Sequence, residues 1–260
     1  MLAKISGSVR DAGEPGMTTL LYLDDSYLRV FDATVVAVTP DQGVVLDRTA
    51  FYPGGGGQPH DVGWLRAGDA VWRVISLRRG LTPGEVVHLL DHAPVPPVGT
   101  KVQGEIDWDR RYRLMRTHTA LHVLCGVVFR EYGALVTGGN MDVDKARMDF
   151  ELEDLNPERV TRIERLANDA IARGLPVQWW TVSREEAERI PDLIRTKVNL
   201  LPPDLREIRI VEIVGLDLQA DGGTHVHNTR EIGGIRVIGT RSKGRANKRL
   251  EIVVVDPEEQ

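Results

Sequence analysis

The sequence predicts an α+β protein in two parts: a small β-barrel, then a unit of helices set against an antiparallel sheet. Three observations predict it. From about residue 17 to 106, short β-branched runs are separated by Gly- and Pro-bearing turns. From about 107 the texture changes, and Arg113, Leu114, Leu121, Val123, Leu124, Val127, Val128 and Phe129 recur with near-helical spacing, uninterrupted by Pro or early Gly. Beyond 146, strand-like and helix-like stretches alternate to about 255.

The elements follow in order. Residues 1–16 mix Gly, Ser, Asp and Pro without a period and are expected to be a flexible extension. In the barrel region (17–106) the predicted strands are Leu28–Val38, Gly43–Asp47 after a Pro40-Asp41-Gln42-Gly43 turn, Val71–Ile75, Glu85–Leu89 and Lys101–Asp107. In 107–260, Ala146–Leu152 alternates like a strand. Asn156-Pro157-Glu158 opens a helix with an N-cap, Pro at the first position and an acid in the first turn, and that helix runs to Gly174. Val177–Val182 reads as a strand, and Ser183-Arg184-Glu185-Glu186 as a capping-box start to a short helix. Strands are expected at Ile208–Val214, Ile232–Gly239 and Arg249–Val255.

Composition narrows the class. The chain has 260 residues, 42% of them apolar, and a formal net charge of -5. The average surface therefore does not announce a nucleic-acid binder, though local basic clusters can. No apolar run reaches the roughly 20 residues that span a bilayer, and the first residues lack the apolar core of a secretory signal. The sole cysteine, Cys125, forms no internal disulfide. The expectation is a soluble cytoplasmic protein.

The chemistry centres on His118 and His122. At i and i+4 on a helix they point the same way, so both imidazoles can reach one metal ion. No Glu follows His118, so this is not the His-Glu-x-x-His pattern. Cys125 falls on the same face but stands about 10 Å along the axis from His118 at 1.5 Å per residue, and is expected to be an ordinary buried residue. Asp221 and His225, in Asp221-Gly222-Gly223-Thr224-His225, are the better partners, with His227 a substitute ranked below Asp221. Three imidazoles and a carboxylate suit Zn2+, one per chain.

Three other stretches stand out. Gly54, Gly55, Gly56 and Gly57 run consecutively before Gln58, either as a flexible hairpin loop or where backbone must approach another molecule closely. No Lys-Ser/Thr follows, so this is not a P-loop. Arg241, Lys243, Arg245, Lys248 and Arg249 put five cations into nine residues with no acid. Arg110, Arg111, Arg113 and Arg116 form a second cluster just ahead of His118. Each cluster reads either as a solvated charge run or as a grip on phosphates.

His118-Thr119-Ala120-Leu121-His122, Gly222-Gly223-Thr224-His225-Val226, Asn228-Thr229 with Glu231-Ile232-Gly233, and Phe51-Tyr52-Pro53 leading into Gly55-Gly56-Gly57-Gln58 together resemble the editing domain of alanyl-tRNA synthetase. With no aminoacylation domain present, the chain resembles a free-standing AlaX-type editing protein of the longer kind, from about residue 17 to 255. The resemblance implies a translation-factor-like β-barrel followed by an α+β editing domain of the threonyl/alanyl-tRNA synthetase type. It implies hydrolysis of alanine tRNA mischarged with serine, with glycine as a second substrate. His118, His122 and His225 match the family's zinc ligands, and Asp221 stands where the family usually has cysteine. Gln58 matches the glutamine of the glycine-rich motif near the substrate pocket. The two basic clusters would then hold the tRNA acceptor end.

The physical need fits, because a pocket shaped for alanine discriminates against an added hydroxyl by only about 1–3 kcal/mol. Two roles for the metal stand open: activating a water, or anchoring the substrate's amino group while a separate water attacks. Thr119 and Thr224 are each either a partner for the serine hydroxyl or a local structural cap. The competing readings are a non-catalytic zinc-stabilised tRNA-binding module, an editing enzyme of another specificity such as mischarged threonine tRNA, and a metal-dependent hydrolase of a small ester.

Overall fold

The computed structural model describes residues 18–82, 84–198, 201 and 205–256. The extension expected at 1–16 lies outside the described residues. The described residues form two compact units, one from 18–53 and 62–106, the other from 54–61 and 107–256.

The first unit is built from β1 (Thr19–Leu20), β2 (Val30–Val38), β3 (Val44–Leu46), β4 (Arg48–Thr49), β5 (Gly63–Ala67), β6 (Ala70–Arg79), β7 (Val86–Leu90) and β8 (Lys101–Ile106). Six of these close an antiparallel barrel in the order β2-β3-β7-β6-β5-β8, and β1 pairs with β4 in parallel. Alternation puts Phe31, Ala33 and Val35 of β2 and Val102 and Ile106 of β8 inside. His88 lies in this core, with Nε2 2.9 Å from Thr49 Oγ1 and Nδ1 3.0 Å from the Val44 carbonyl. Burial pushes its pKa down to about 4, so it is a neutral core residue. The sequence reading missed β5, a five-residue strand whose two hydrophobic inward positions carry little pattern.

The second unit begins with α1 (Trp108–Tyr132), capped by the Asp107 side chain on Arg110 N and ended by Gly133 in the left-handed region at φ 64°. Residues 117–128 are buried all round, the mark of a helix running through a core rather than lying on it. Then come β9 (Val136–Asp142), β10 (Lys145–Phe150), α2 (Pro157–Ala172), β11 (Val177–Ser183), α3 (Arg184–Glu188), β12 (Glu207–Ile213), β13 (Asp217–Ala220), β14 (Gly234–Ser242) and β15 (Lys248–Val255). They form two antiparallel sheets, β14-β15-β10-β9 and β11-β12-β13. Asn156 caps α2, and Ser183 with Glu186 makes a full capping box on α3.

Three expectations are corrected here. The glycine-rich segment, read as part of the barrel, packs with the second unit: Met141 N donates to the Gly57 carbonyl, and Arg111 holds Asp61. The strand expected from Ile232 starts at Gly234, because Asn228 caps a 3-10 turn at Thr229–Ile232. β9 was missed because Gly138, Gly139 and Asn140 give it little β-propensity. Among the described residues no helix is long and apolar enough to cross a membrane.

Candidate metal centre

α1 brings His118 and His122 to one face with ring centroids 5.2 Å apart. The loop after β13 supplies the rest. His225 stacks on His118 at 4.3 Å and meets His122 edge-on at 4.7 Å. One ligand atom each from His118, His122, Asp221 and His225 all fall within 4.8 Å of one another. His227 and Cys125 are not in this group: His227 is exposed and stacks on Trp179, and Cys125 is buried with its thiol pushed up by burial.

Hydrogen bonds decide which nitrogen His225 and His122 present. The Thr119 hydroxyl donates to the Met115 carbonyl at 2.8 Å. Its oxygen, 3.1 Å from His225 Nδ1, is therefore left to accept the Nδ1–H. His225 Nε2 is then a bare lone pair, yet it faces Asp221 Oδ2 at 3.0 Å. In this tautomer the two acceptors present a pair of ligand atoms to one cation. A proton is disfavoured, because burial, with His118 beside it, holds His225 well below the usual imidazole range. The donor set fits a divalent metal. On His122, Nδ1 lies 3.0 Å from Asp217 Oδ2, which leaves Nε2 for the ion. Burial lowers the His122 pKa, and the Asp217 hydrogen bond together with the charges of Asp217 and Asp221 more than offsets that, so the net shift is upward. Burial, the largest cause, takes His118 down to about 4 against the opposing charge of Asp221. Burial works to raise Asp221, but the surrounding imidazoles hold it well below the carboxylate range, ionised as a ligand must be.

The ligand loop is held from three sides. Asp221 Oδ2 accepts from Gly223 N at 2.7 Å. Arg209, buried on β12, donates to the carbonyls of Asp221 (3.1 Å) and Gly223 (2.9 Å). Gln58 grips Thr224 twice, Nε2 to the hydroxyl at 2.9 Å and Oε1 from the backbone N at 3.1 Å. Gly54, Gly55, Gly56 and Gly57 all have positive φ, from 58° to 134°, a path that L side chains rarely follow. This path brings Gly56 beside the ligand loop, where an added Cβ would stand 3.9 Å from Asp221 Oδ1. At Gly223 a Cβ would stand 2.4 Å from His118 Cε1 and 2.6 Å from Gln58 Oε1, so the loop can approach the rings only as glycine. Asp217, Arg209, Gln219 and Asp61 are functional neighbours that the sequence reading missed.

The two basic clusters behave differently from the expectation. Arg111 is fully buried and paired with Asp61, so it presents nothing to a tRNA. Arg249 is buried and Lys243 turned inward, both on Asp149. Arg113 pairs with Asp144, and Arg116 binds the Ile232 carbonyl and Asp256. Arg110 reaches the His60 carbonyl, and Lys248 caps the hairpin through the Gly244 and Arg245 carbonyls. Of the nine, Arg241 and Arg245 are exposed and make no ion pair among the described residues. Thr119 is corrected too. Its proton is spent on Met115 and its oxygen on His225 and Val226 N, so it positions a ligand and has nothing left for a substrate.

The family model described as "Threonyl and Alanyl tRNA synthetase second additional domain" matches residues 208–251, which hold Asp217, Asp221, Thr224 and His225. That described as "tRNA synthetases class II (A)" matches 28–110, the barrel and the glycine-rich segment. An alanyl-tRNA editing protein AlaX-M of Methanosarcina barkeri is 44% identical over 245 residues, covering 92% of this chain and all of its own length. The chain belongs to the AlaX-M family of alanyl-tRNA editing proteins. A second AlaX-M, from Saccharolobus solfataricus, is 42% identical over 240 residues, 92% of this chain and 99% of its own. An alanine–tRNA ligase of Pyrobaculum calidifontis matches 85% of this chain at 42% identity, but over only 25% of its own length. Thus the AlaX-M relatives match over nearly all of their own length, and the ligase over a part of its own.

Proposed function

We propose that this AlaX-M family member is a trans-editing hydrolase that deacylates alanine tRNA mischarged with serine, with glycine as a second substrate, and that its resident metal is one zinc ion. The observation that carries the proposal is the buried group of His118, His122, Asp221 and His225, floored by Gln58 and Thr224. Three imidazoles and a carboxylate at such separations suit zinc. Zinc bound there supplies Lewis-acid charge beside the aminoacyl ester.

The chain's own residues do the remaining work. Asp217 and Thr119 fix the rings of His122 and His225. Arg209 holds the carbonyls of the ligand loop, so that loop does not need to reorganise when substrate arrives. Gln58 donates to the Thr224 oxygen, which orients the Thr224 hydroxyl proton towards the serine hydroxyl; alanine offers no such partner. Water adds to the ester carbonyl, and the products are the free amino acid and the 3′ hydroxyl of tRNA. Arg241 and Arg245 hold tRNA phosphates, and the protein works in the cytoplasm with the translation apparatus.

The test is deacylation by purified protein of alanine tRNA charged with serine, glycine or alanine, alongside serine-charged threonine tRNA. The expected result is hydrolysis of the seryl-alanine tRNA well above the buffer rate with the alanyl ester spared. No turnover above buffer would overturn the enzymatic reading, and preference for threonine tRNA would overturn the substrate.

A further inference from the structure

The sheet β14-β15-β10-β9 has two unlike faces. One carries Ile235, Leu250, Ile252, Met148 and Phe150 and is buried. On the other, the registers place Arg236 opposite Val253 opposite Lys145, Glu251 opposite Arg147, and Arg241 opposite Arg249 opposite Asp149. The irregularity of β14 between Val237 and Gly239 keeps Arg236 and Arg241 on this same face.

Charge on this face is not balanced. Asp149 is already taken by Arg249 and Lys243. Lys145, Arg147, Arg236, Arg241 and, in the hairpin, Arg245 are exposed and make no ion pair among the described residues. Among the described residues of this face, only Glu251 and Asp142 stand against these five, in a chain of net charge -5. Four strands at about 4.8 Å spacing make the face roughly 14 Å across. Its far edge, β9, meets the glycine-rich segment: Met141 N donates to the Gly57 carbonyl, and Gln58 next to it grips Thr224 in the metal site.

We infer that this outer sheet face is a docking surface for an RNA phosphate backbone, with Arg147 and Arg236, neither of them in a visible basic cluster of the sequence, among its phosphate contacts. The inference rests on the tRNA-editing reading for the identity of the RNA. Guanidinium groups on a rigid sheet, unpaired and solvated, gain by releasing the counterions of a phosphate chain. The face leads from the exposed hairpin to the loop at the metal site, the course an acceptor stem takes if its charged end enters there.

The experiment measures binding of uncharged alanine tRNA over a range of salt for the wild-type protein, for Arg147→Gln with Arg236→Gln, and for Arg165→Gln on α2. Arg165 lies on the helix covering the opposite face and is paired with Asp169. The double variant is expected to flatten the slope of log K against log salt by about two, one for each lost contact, with Arg165→Gln matching wild type. A double-variant slope equal to wild type overturns the surface, as does an equal flattening by Arg165→Gln. Wild-type deacylation of seryl-tRNA with an unchanged double-variant slope refutes the surface alone. Binding with the flattened slope but no deacylation refutes the editing reading and leaves the surface standing.

Discussion

Asp217 Oδ2 lies 3.0 Å from His122 Nδ1, and Gln219 Nε2 donates to the same oxygen at 2.7 Å. A buried carboxylate thus sets the tautomer of a ring in the candidate metal group and increases its basicity. Asp217→Asn keeps the shape and removes the charge. It is expected to weaken metal affinity by about 10–100-fold, read by competition with a chromophoric chelator. An affinity equal to wild type would show that Asp217 only packs.

At Gly223 the backbone passes too close to His118 and Gln58 for a side chain to fit. Gly223→Ala drives a methyl into both, with Cβ 2.4 Å from His118 Cε1. The overpacking is expected to cost about 1–3 kcal/mol, a fall in Tm of roughly 2–4 °C for each kcal/mol, together with looser metal binding. Gly222→Ala, where a Cβ meets nothing within 4 Å, is the matched control and leaves Tm unchanged. Equal Tm for both variants contradicts the close-approach account.

Asp149 predicts an acid limb in stability. The Arg249 hydrogen bond, chief among its partners, and Lys243 lower its pKa to about 2 against the opposing effect of burial. A depressed carboxylate contributes stability above its unfolded pKa and loses it as pH falls through the folded one. The stability difference between wild type and Asp149→Asn is therefore expected to be full above about pH 4 and to shrink towards pH 2, followed by urea denaturation at a series of pH values. A difference that stays constant across this range would mean that the pair contributes nothing through ionisation.

The residues that sequence made legible are those whose meaning is local or repeats. His118 and His122 announce a shared face because four residues on a helix is one turn. The barrel shows in β-branched runs cut by Gly and Pro, and the capping box at Ser183 shows as a motif in four residues. Asp221 and His225 showed as a carboxylate and an imidazole on one glycine-bearing loop, and the family resemblance added the match of His225 to a zinc ligand. Partners distant in sequence left no trace. Arg111 looks like its exposed neighbours until Asp61, fifty residues away, is seen to hold it in the interior. Asp217 has no pattern of its own, since only the fold brings it to His122. Arg147 and Arg236 lie outside both basic clusters of the sequence, and sheet register alone unites them.

The claim on which the account depends is that α1 and the loop after β13 jointly hold one ion. The direct measurement is the metal content of the folded protein after equilibration with zinc and removal of the excess, for wild type, His118→Ala and Asp221→Ala, with circular dichroism confirming the fold. The account predicts one zinc per wild-type chain and loss of that zinc in both variants. Stoichiometric zinc retained by either variant, or none in the wild type, would contradict it.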